Sequence, residues 1–352
     1  MSCPHCTDDL LEELTADQPG MSEAAAASEL SVPPPNSLPT PVKQRQHYLV
    51  VGLMIFAFGM LIGYLVRGPV ISVTGAPYAE DPAVVLPSGN EDSLIHLVDQ
   101  VNPPEGYTLP VIFGDAGPQM ISAGAIDYDQ FTRVYDQAGQ PLTAVQQAIL
   151  TQGSGDYVHI NQDNAYFLLN FFWALGLVND NPLLTSGPLV QNSDGRIERY
   201  AATGGWTIGQ KPPAELYAST AILHLSHEQQ ERLEEVAYNV YRPCCDNHTA
   251  FADCNHGMAL LGLLQLMAAQ DATVEEMFDA AKYVNAFWFP QQSLQIATFF
   301  QLAQDLSFAD VEARLLVGSQ ISSASGYRNV QQWLAATDGL EPAPGAGSSC
   351  GV

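Results

Sequence analysis

The chain has 352 residues and a formal net charge of −26, from 12 Lys and Arg against 38 Asp and Glu. Such a field repels nucleic acid and anionic lipid head groups and attracts cations, so binding of DNA or RNA is excluded. Most of the charge follows Arg67: seven acids and two bases precede it, thirty-one acids and nine bases come after, and the part beyond it carries −22.

Residues 1–46 hold Ser-Glu-Ala-Ala-Ala-Ala-Ser and Val-Pro-Pro-Pro-Asn-Ser-Leu-Pro-Thr-Pro, with few large apolar residues to bury, and read as a disordered tail. Near its tip, Cys3 and Cys6 form a CxxC pair; a redox pair of that kind normally opens a helix after a strand, and a zinc ribbon needs a second pair.

Residues 47–67 contain the apolar run Tyr48 to Val66, with no charged side chain. At a helical rise of about 1.5 Å per residue this run is long enough to cross a hydrocarbon core of roughly 30 Å. Lys43 and Arg45 lie before it and Arg67 after it, a basic bias that puts the N-terminus in the cytoplasm. A cleaved signal peptide does not fit, because too many residues precede the apolar run. The expected result is an uncleaved single-pass anchor in the cell membrane with an extracytoplasmic C-terminal domain.

Residues 68–107, rich in Pro, Gly, Asp and Asn, read as a stalk or irregular lead-in, with a short helical stretch around 91–101. A helical domain is expected over 108–340 and a flexible Pro/Gly/Ser tail over 341–352, which carries Cys350. Thr143 with Gln146, Ser226 with Gln229 and Thr273 with Glu276 have the capping-box spacing, in which each residue satisfies the other's free backbone donor. Helices are predicted over 127–136, 143–151, 163–178, 214–223, 227–240, 256–270, 274–287, 292–305, 308–318 and 327–337. Two of them, centred on 165–178 and 258–267, are apolar on nearly every face, which marks central helices of a bundle. Residues 185–213, with Thr203-Gly204-Gly205-Trp206, read as a loop or short hairpin against the core.

The densest chemistry lies between Cys244 and Met258, where Cys244, Cys245, His248, Cys254, His256 and Met258 bring together thiol, imidazole and thioether groups. This soft ligand set selects copper or zinc, and clustered thiols are also the usual device for redox chemistry. Pro243 ends the preceding helix and leaves Cys244 and Cys245 on a loop. Cys254 stands where the next helix begins, so the free N–H groups and the helix dipole favour its thiolate. If the first turn includes Cys254, Met258 shares its face; if residues 254–256 are extended, His256 does. Adjacent cysteines diverge too much to ligate one zinc ion together, so one of them with Cys254, His256 and His248 makes a mononuclear site. Both of them with Cys254 make a copper-type thiolate site instead. Outside a cell one of Cys244 or Cys245 can pair with Cys254, leaving an odd thiol as thiol-disulfide exchange requires; alternatively the disulfide is a structural staple in a domain of a membrane complex.

The stretches Phe171-Phe172-Trp173-Ala174-Leu175-Gly176-Leu177, Thr203-Gly204-Gly205-Trp206-Thr207 and Cys244-Cys245 through Asp253-Cys254-Asn255-His256-Gly257-Met258 resemble an uncharacterised family of membrane-anchored bacterial proteins, over roughly residues 110 to 305. The resemblance implies no activity. His224, His227, Glu228 and Glu231 form an H-x-x-H-E-x-x-E pattern behind the cap Ser226, where acidic residues complement the helix dipole. No GxSxG elbow, Walker loop or GxGxxG follows a strand. The sequence therefore predicts a mainly α, multi-helix extracytoplasmic domain on one N-terminal transmembrane helix, with a soft-metal site, no catalytic assignment and an unidentified membrane-protein partner.

Overall fold

A computed structural model describes residues 91–338. The apolar run Tyr48 to Val66, the Cys3/Cys6 pair and Cys350 lie outside these residues. Among the described residues no helix is long and apolar enough to cross a membrane. They are mainly helical with little strand, in the order α1 (Glu91–Val101), β1 (Tyr107–Gly114), α2 (Ala116–Ala123), α3 (Tyr128–Gln137), α4 (Ala144–Gln152), β2 (Ser154–Ile160) and α5 (Ala165–Val178), followed by α6 (His227–Ala237), α7 (Asn255–Ala269), α8 (Val274–Trp288), α9 (Pro290–Gln304) and α10 (Ala324–Asp338).

All three capping boxes form. Thr143, Ser226 and Thr273 each accept from the backbone N–H three residues on, and Gln146, Gln229 and Glu276 return the bond to the cap's own N–H. Asp127 starts α3 in a simpler way, accepting from the N–H of Gln130.

The core is built around α5 and α7, the two helices that are apolar on nearly every face. They cross at two glycines. The nitrogen of Gly176 is only 2.7 Å from where a Cβ on Gly262 would sit, and such a Cβ would run into the carbonyl of Phe172. A Cβ on Gly176 would in turn meet the carbonyl of Met258. Side chains as small as methyl would hold the backbones apart, so these two positions let the axes close and the surrounding Leu and Phe interdigitate. Phe171, Leu175, Leu260, Leu263 and Leu264 are all fully buried there. Each such side chain is stabilised by about 1.5–3 kcal/mol relative to exposure.

A polar pair bridges the same two helices. The Asn179 amide donates to Oε1 of Gln265 at 2.6 Å, while its Oδ1 accepts from the N–H groups of Ile222 and Leu223 at 2.9 and 2.7 Å. The chain at 220–223, expected to continue a helix, is thereby drawn out along the end of α5; within the predicted 214–223 only Pro213–Leu216 makes a helical turn.

Of the two forms expected for residues 185–213 the loop is the one found, and one further predicted helix is shortened. Residues 185–213 form short turns, Pro188–Gln191 and Ala201–Gly204 among them, with no hairpin, because Trp173 and Trp206 hold the segment down through bonds to the carbonyls of Ala202 and Ala125. The predicted 308–318 helix shrinks to Ala313–Leu316, since Lys282 of α8 takes the carbonyls of Ala309 and Val311 at 3.2 and 2.8 Å.

The strands were not anticipated. β1 and β2 pair antiparallel with an irregular register, Tyr107 opposite Ile160 and Ile112 opposite Tyr157. Leu109, Val111 and Phe113 alternate inward and are buried. Helix α1, placed in the lead-in by the sequence, packs with the domain: Val101 is fully buried and the Asn102 amide donates to the Ala286 carbonyl of α8 at 3.0 Å.

Candidate metal centre

The thiols lie on the connection from α6 to α7. Pro243, with its fixed φ, occupies the second position of a tight turn from Arg242 to Cys245, closed by the N–H of Cys245 donating to the Arg242 carbonyl at 3.4 Å. Cys244 sits at the corner. The chain then returns to the end of α6, where Thr249 donates from N–H and hydroxyl to the Val240 carbonyl and Ala250 donates to that of Ala237. It enters α7 through Cys254, which has extended backbone (φ −120°, ψ 165°) and acts as N-cap by accepting from the Gly257 N–H at 3.4 Å.

Of the two geometries open to the sequence, the second is nearer the one found: Cys254 is extended and outside the helix. Cys244, Cys254 and His256 come together, their ligand atoms all within 4.8 Å of one another. The sulfurs of Cys244 and Cys254 are 3.7 Å apart, against roughly 2.05 Å for a disulfide bond, so no bond joins this pair. A second group, Cys245, Asp253 and Cys254, meets the same 4.8 Å limit and shares the buried sulfur. Met258 is fully buried in the hydrophobic core. His248 packs its ring 4.8 Å from Tyr238 and 6.0 Å from Tyr241 and belongs to neither group.

The organising residue is Arg242, directly before Pro243. Arg242 is 0% exposed, and each nitrogen of its guanidinium has a partner: Nε donates to the Cys254 sulfur at 3.2 Å, Nη1 to the Asn247 carbonyl at 3.0 Å and Nη2 to Asp253 Oδ1 at 3.0 Å. The Asn247 amide holds the other carboxylate oxygen at 2.8 Å. Burying an unpaired guanidinium is prohibitive, so these three acceptors, the Asp253 carboxylate above all, are what make the placement stable. Burial disfavours its charge, but the sulfurs of Cys254, Cys245 and Cys244 more than offset this and Arg242 is held protonated.

The thiols separate in character. Hydrogen bonds with Cys244 and Cys245, joined by the charge of Arg242 and a bond with His256, hold Cys254 well below the usual thiol range despite its burial. The bond with Cys244 draws Cys245 down, but the bond with Cys254 and burial outweigh it, and Cys245 is pushed up to about 11. Its thiol donates toward the Asn247 carbonyl at 3.8 Å and Asp253 Oδ1 at 3.9 Å.

His256, half-buried on the first turn of α7, lies 4.5 Å from the Phe289 ring and 6.0 Å from Trp288. Its Nδ1 is buried without a hydrogen-bond partner, as is that of His248. Burial and the Arg242 charge press His248 toward its neutral form. On the outer side of the loop, Asp246 accepts from the N–H and hydroxyl of Ser325, which keep its carboxyl low, and the Cys245 carbonyl accepts from the Ala324 N–H at 3.0 Å. The loop is thus tied to the first turn of α10.

Arg242, Asp253 and Gly257 escaped the sequence reading. The one available signal was the scarcity of basic residues, which makes an Arg directly before Pro-Cys-Cys conspicuous in so acidic a chain. Comparison of the chain with known protein families, curated proteins and solved structures returns no match, so the site rests on its own geometry.

Proposed function

We propose that this chain is a membrane-anchored, extracytoplasmic protein that binds a soft metal ion, copper or zinc, through Cys244, Cys254 and His256. The observation that carries the reading is the convergence of two sulfurs and an imidazole within 4.8 Å, with a buried imidazole nitrogen that has no partner. A buried polar atom left unpaired costs free energy, and a metal ion would satisfy an imidazole and two thiolates together. Arg242 would then orient the buried sulfur from outside the ligand set, as partners of metal ligands commonly do. The anchor and its orientation rest on the apolar run Tyr48 to Val66 and its flanking bases.

Elemental analysis of the full-length chain, purified anaerobically in mild detergent, tests this. The expected result is stoichiometric copper or zinc that is lost in Cys254→Ser; a chain without metal in either form overturns it. The 3.7 Å separation of the Cys244 and Cys254 sulfurs favours a second reading, thiol-disulfide exchange. That reading predicts a metal-free chain with a reversible Cys244–Cys254 disulfide, measured by thiol counting across a redox series.

A further inference from the structure

Two groups of potential ligands share Cys254, and the contacts of Arg242 discriminate between them. In the group of Cys245, Asp253 and Cys254, the guanidinium already donates to both the carboxylate, at 3.0 Å, and the shared sulfur, at 3.2 Å. A cation bound there would face a buried positive charge across two of its three ligands. The Cys245 thiol also donates toward a carbonyl and a carboxylate oxygen, and as a thiolate it would face the negative end of the one and the like charge of the other. In the group of Cys244, Cys254 and His256, the hydrogen bonds of Arg242 touch only Cys254.

Charge balance narrows the ion. Arg242 and Asp253 cancel, and two thiolates with a neutral imidazole cancel a divalent ion. A monovalent ion in the same place would leave a net negative charge around an arginine that is 0% exposed and a sulfur on a residue that is 6% exposed. Two thiolates and one imidazole also fall one short of a tetrahedron, the arrangement of zinc sites that keep a position for an outside ligand. Cys244 and His256 are both part-exposed, so the group borders solvent on that side.

Building on the metal reading, we infer that the centre takes a divalent ion of the zinc class on Cys244, Cys254 and His256 alone, with Cys245 outside the ligand set and a fourth position open to a small external donor, water or an anion. Arg242 is the positioning residue that keeps the ion off the Cys245 and Asp253 side.

The test uses the full-length chain in detergent, stripped of metal and loaded with cobalt(II). The expected spectrum has a tetrahedral d–d envelope and a sulfur-to-cobalt charge-transfer band. Cys245→Ser leaves that band at full intensity, while Cys244→Ser cuts it to about half, as losing one of two thiolates requires. Added azide shifts the d–d envelope of the unsubstituted chain. Equal losses of about a third in serine variants of all three cysteines would mean three thiolates and overturn the inference. An envelope indifferent to azide, or native chain carrying copper in place of zinc, overturns it as well. Helical circular dichroism checks each variant, and Cys245→Ala supplies an independent version of the decisive one. Failure to bind any metal refutes the metal reading itself, whereas binding through three thiolates or with a closed shell refutes only this inference.

Discussion

The guanidinium of Arg242 fills the space that a side chain at Gly257 would need: a Cβ there would stand 3.0 Å from Nε and closer still to Cζ and Nη2. The first turn of α7 can therefore carry only glycine at this position while the arginine keeps its bonds to Cys254 and Asp253. Gly257→Ala is expected to destabilise the metal-free chain by about 1–3 kcal/mol through overpacking, read as a lower midpoint in urea. By displacing the guanidinium it also raises the Cys254 pKa, which a thiolate absorbance titration reads directly. An unchanged titration would show that Arg242 adds nothing to what the bonds with Cys244 and Cys245 do for that thiolate.

At the crossing of α5 and α7 no side chain can yield, because the atoms in the way are backbone. Gly262→Ala must push the helices apart and loosen the Leu and Phe layer around them. A loss of about 1–3 kcal/mol is expected, or a Tm lower by about 2–4 °C for each kcal/mol at this domain size. Gly155, with nothing within 4 Å of its would-be Cβ, is the control, and Gly155→Ala should change the Tm little.

Lys282 is buried and its pKa is lowered by burial from 10.5 to about 8, with Asp279 and Asp310 acting weakly the other way. Because the native value lies below the unfolded one, the unfolded chain binds the extra proton between these pH values and stability through this group rises across them. Relative to Lys282→Met, the unsubstituted chain should therefore gain stability from about pH 8 to 10.5, by an amount on the order of 3 kcal/mol. Tyr327, raised by burial to about 12, works the opposite way above pH 10, so only the difference between the two chains isolates the lysine. A flat difference in urea midpoint over that window would show that the ammonium stays charged in the native protein.

The anchor proposal has its own check. An aspartate at the centre of a spanning helix costs about 2.5–3.5 kcal/mol, so Phe58→Asp with Leu61→Asp should move the chain from the membrane pellet to the soluble fraction. Retention in the pellet by the double variant would count against Tyr48 to Val66 as the anchor.

What was legible in the sequence follows from how local each cause is. Capping boxes are four-residue devices, so Thr143, Ser226 and Thr273 predicted helix starts that the fold keeps. The all-round apolar character of α5 and α7 likewise announced their burial. β1 was hidden because Pro110 interrupts its pattern and its partner is a short, polar-faced strand that starts forty positions after β1 ends. Within the site the thiols and His256 were visible by density. Which residues join Cys254 was not, since that depends on Arg242 threading between a turn and a helix end, and nothing in the spacing of residues encodes that path. Met258 illustrates the same limit: a soft donor by chemistry, it is committed to the core by the helix that carries it.

The clip between the thiol loop and α10 also has a temporal side. Ser325, which holds Asp246, follows Cys254 by 71 residues. At a synthesis rate of about 5–20 residues per second this leaves roughly 4–14 s between the appearance of the last thiol of the cluster and that of the clasp on its loop. For those seconds the loop carrying Cys244, Cys245 and Cys254 lacks its tie to α10. Oxidation in that interval would pair sulfurs in whatever order they meet, so the hazard to this centre is concentrated at its birth, before the last helix arrives.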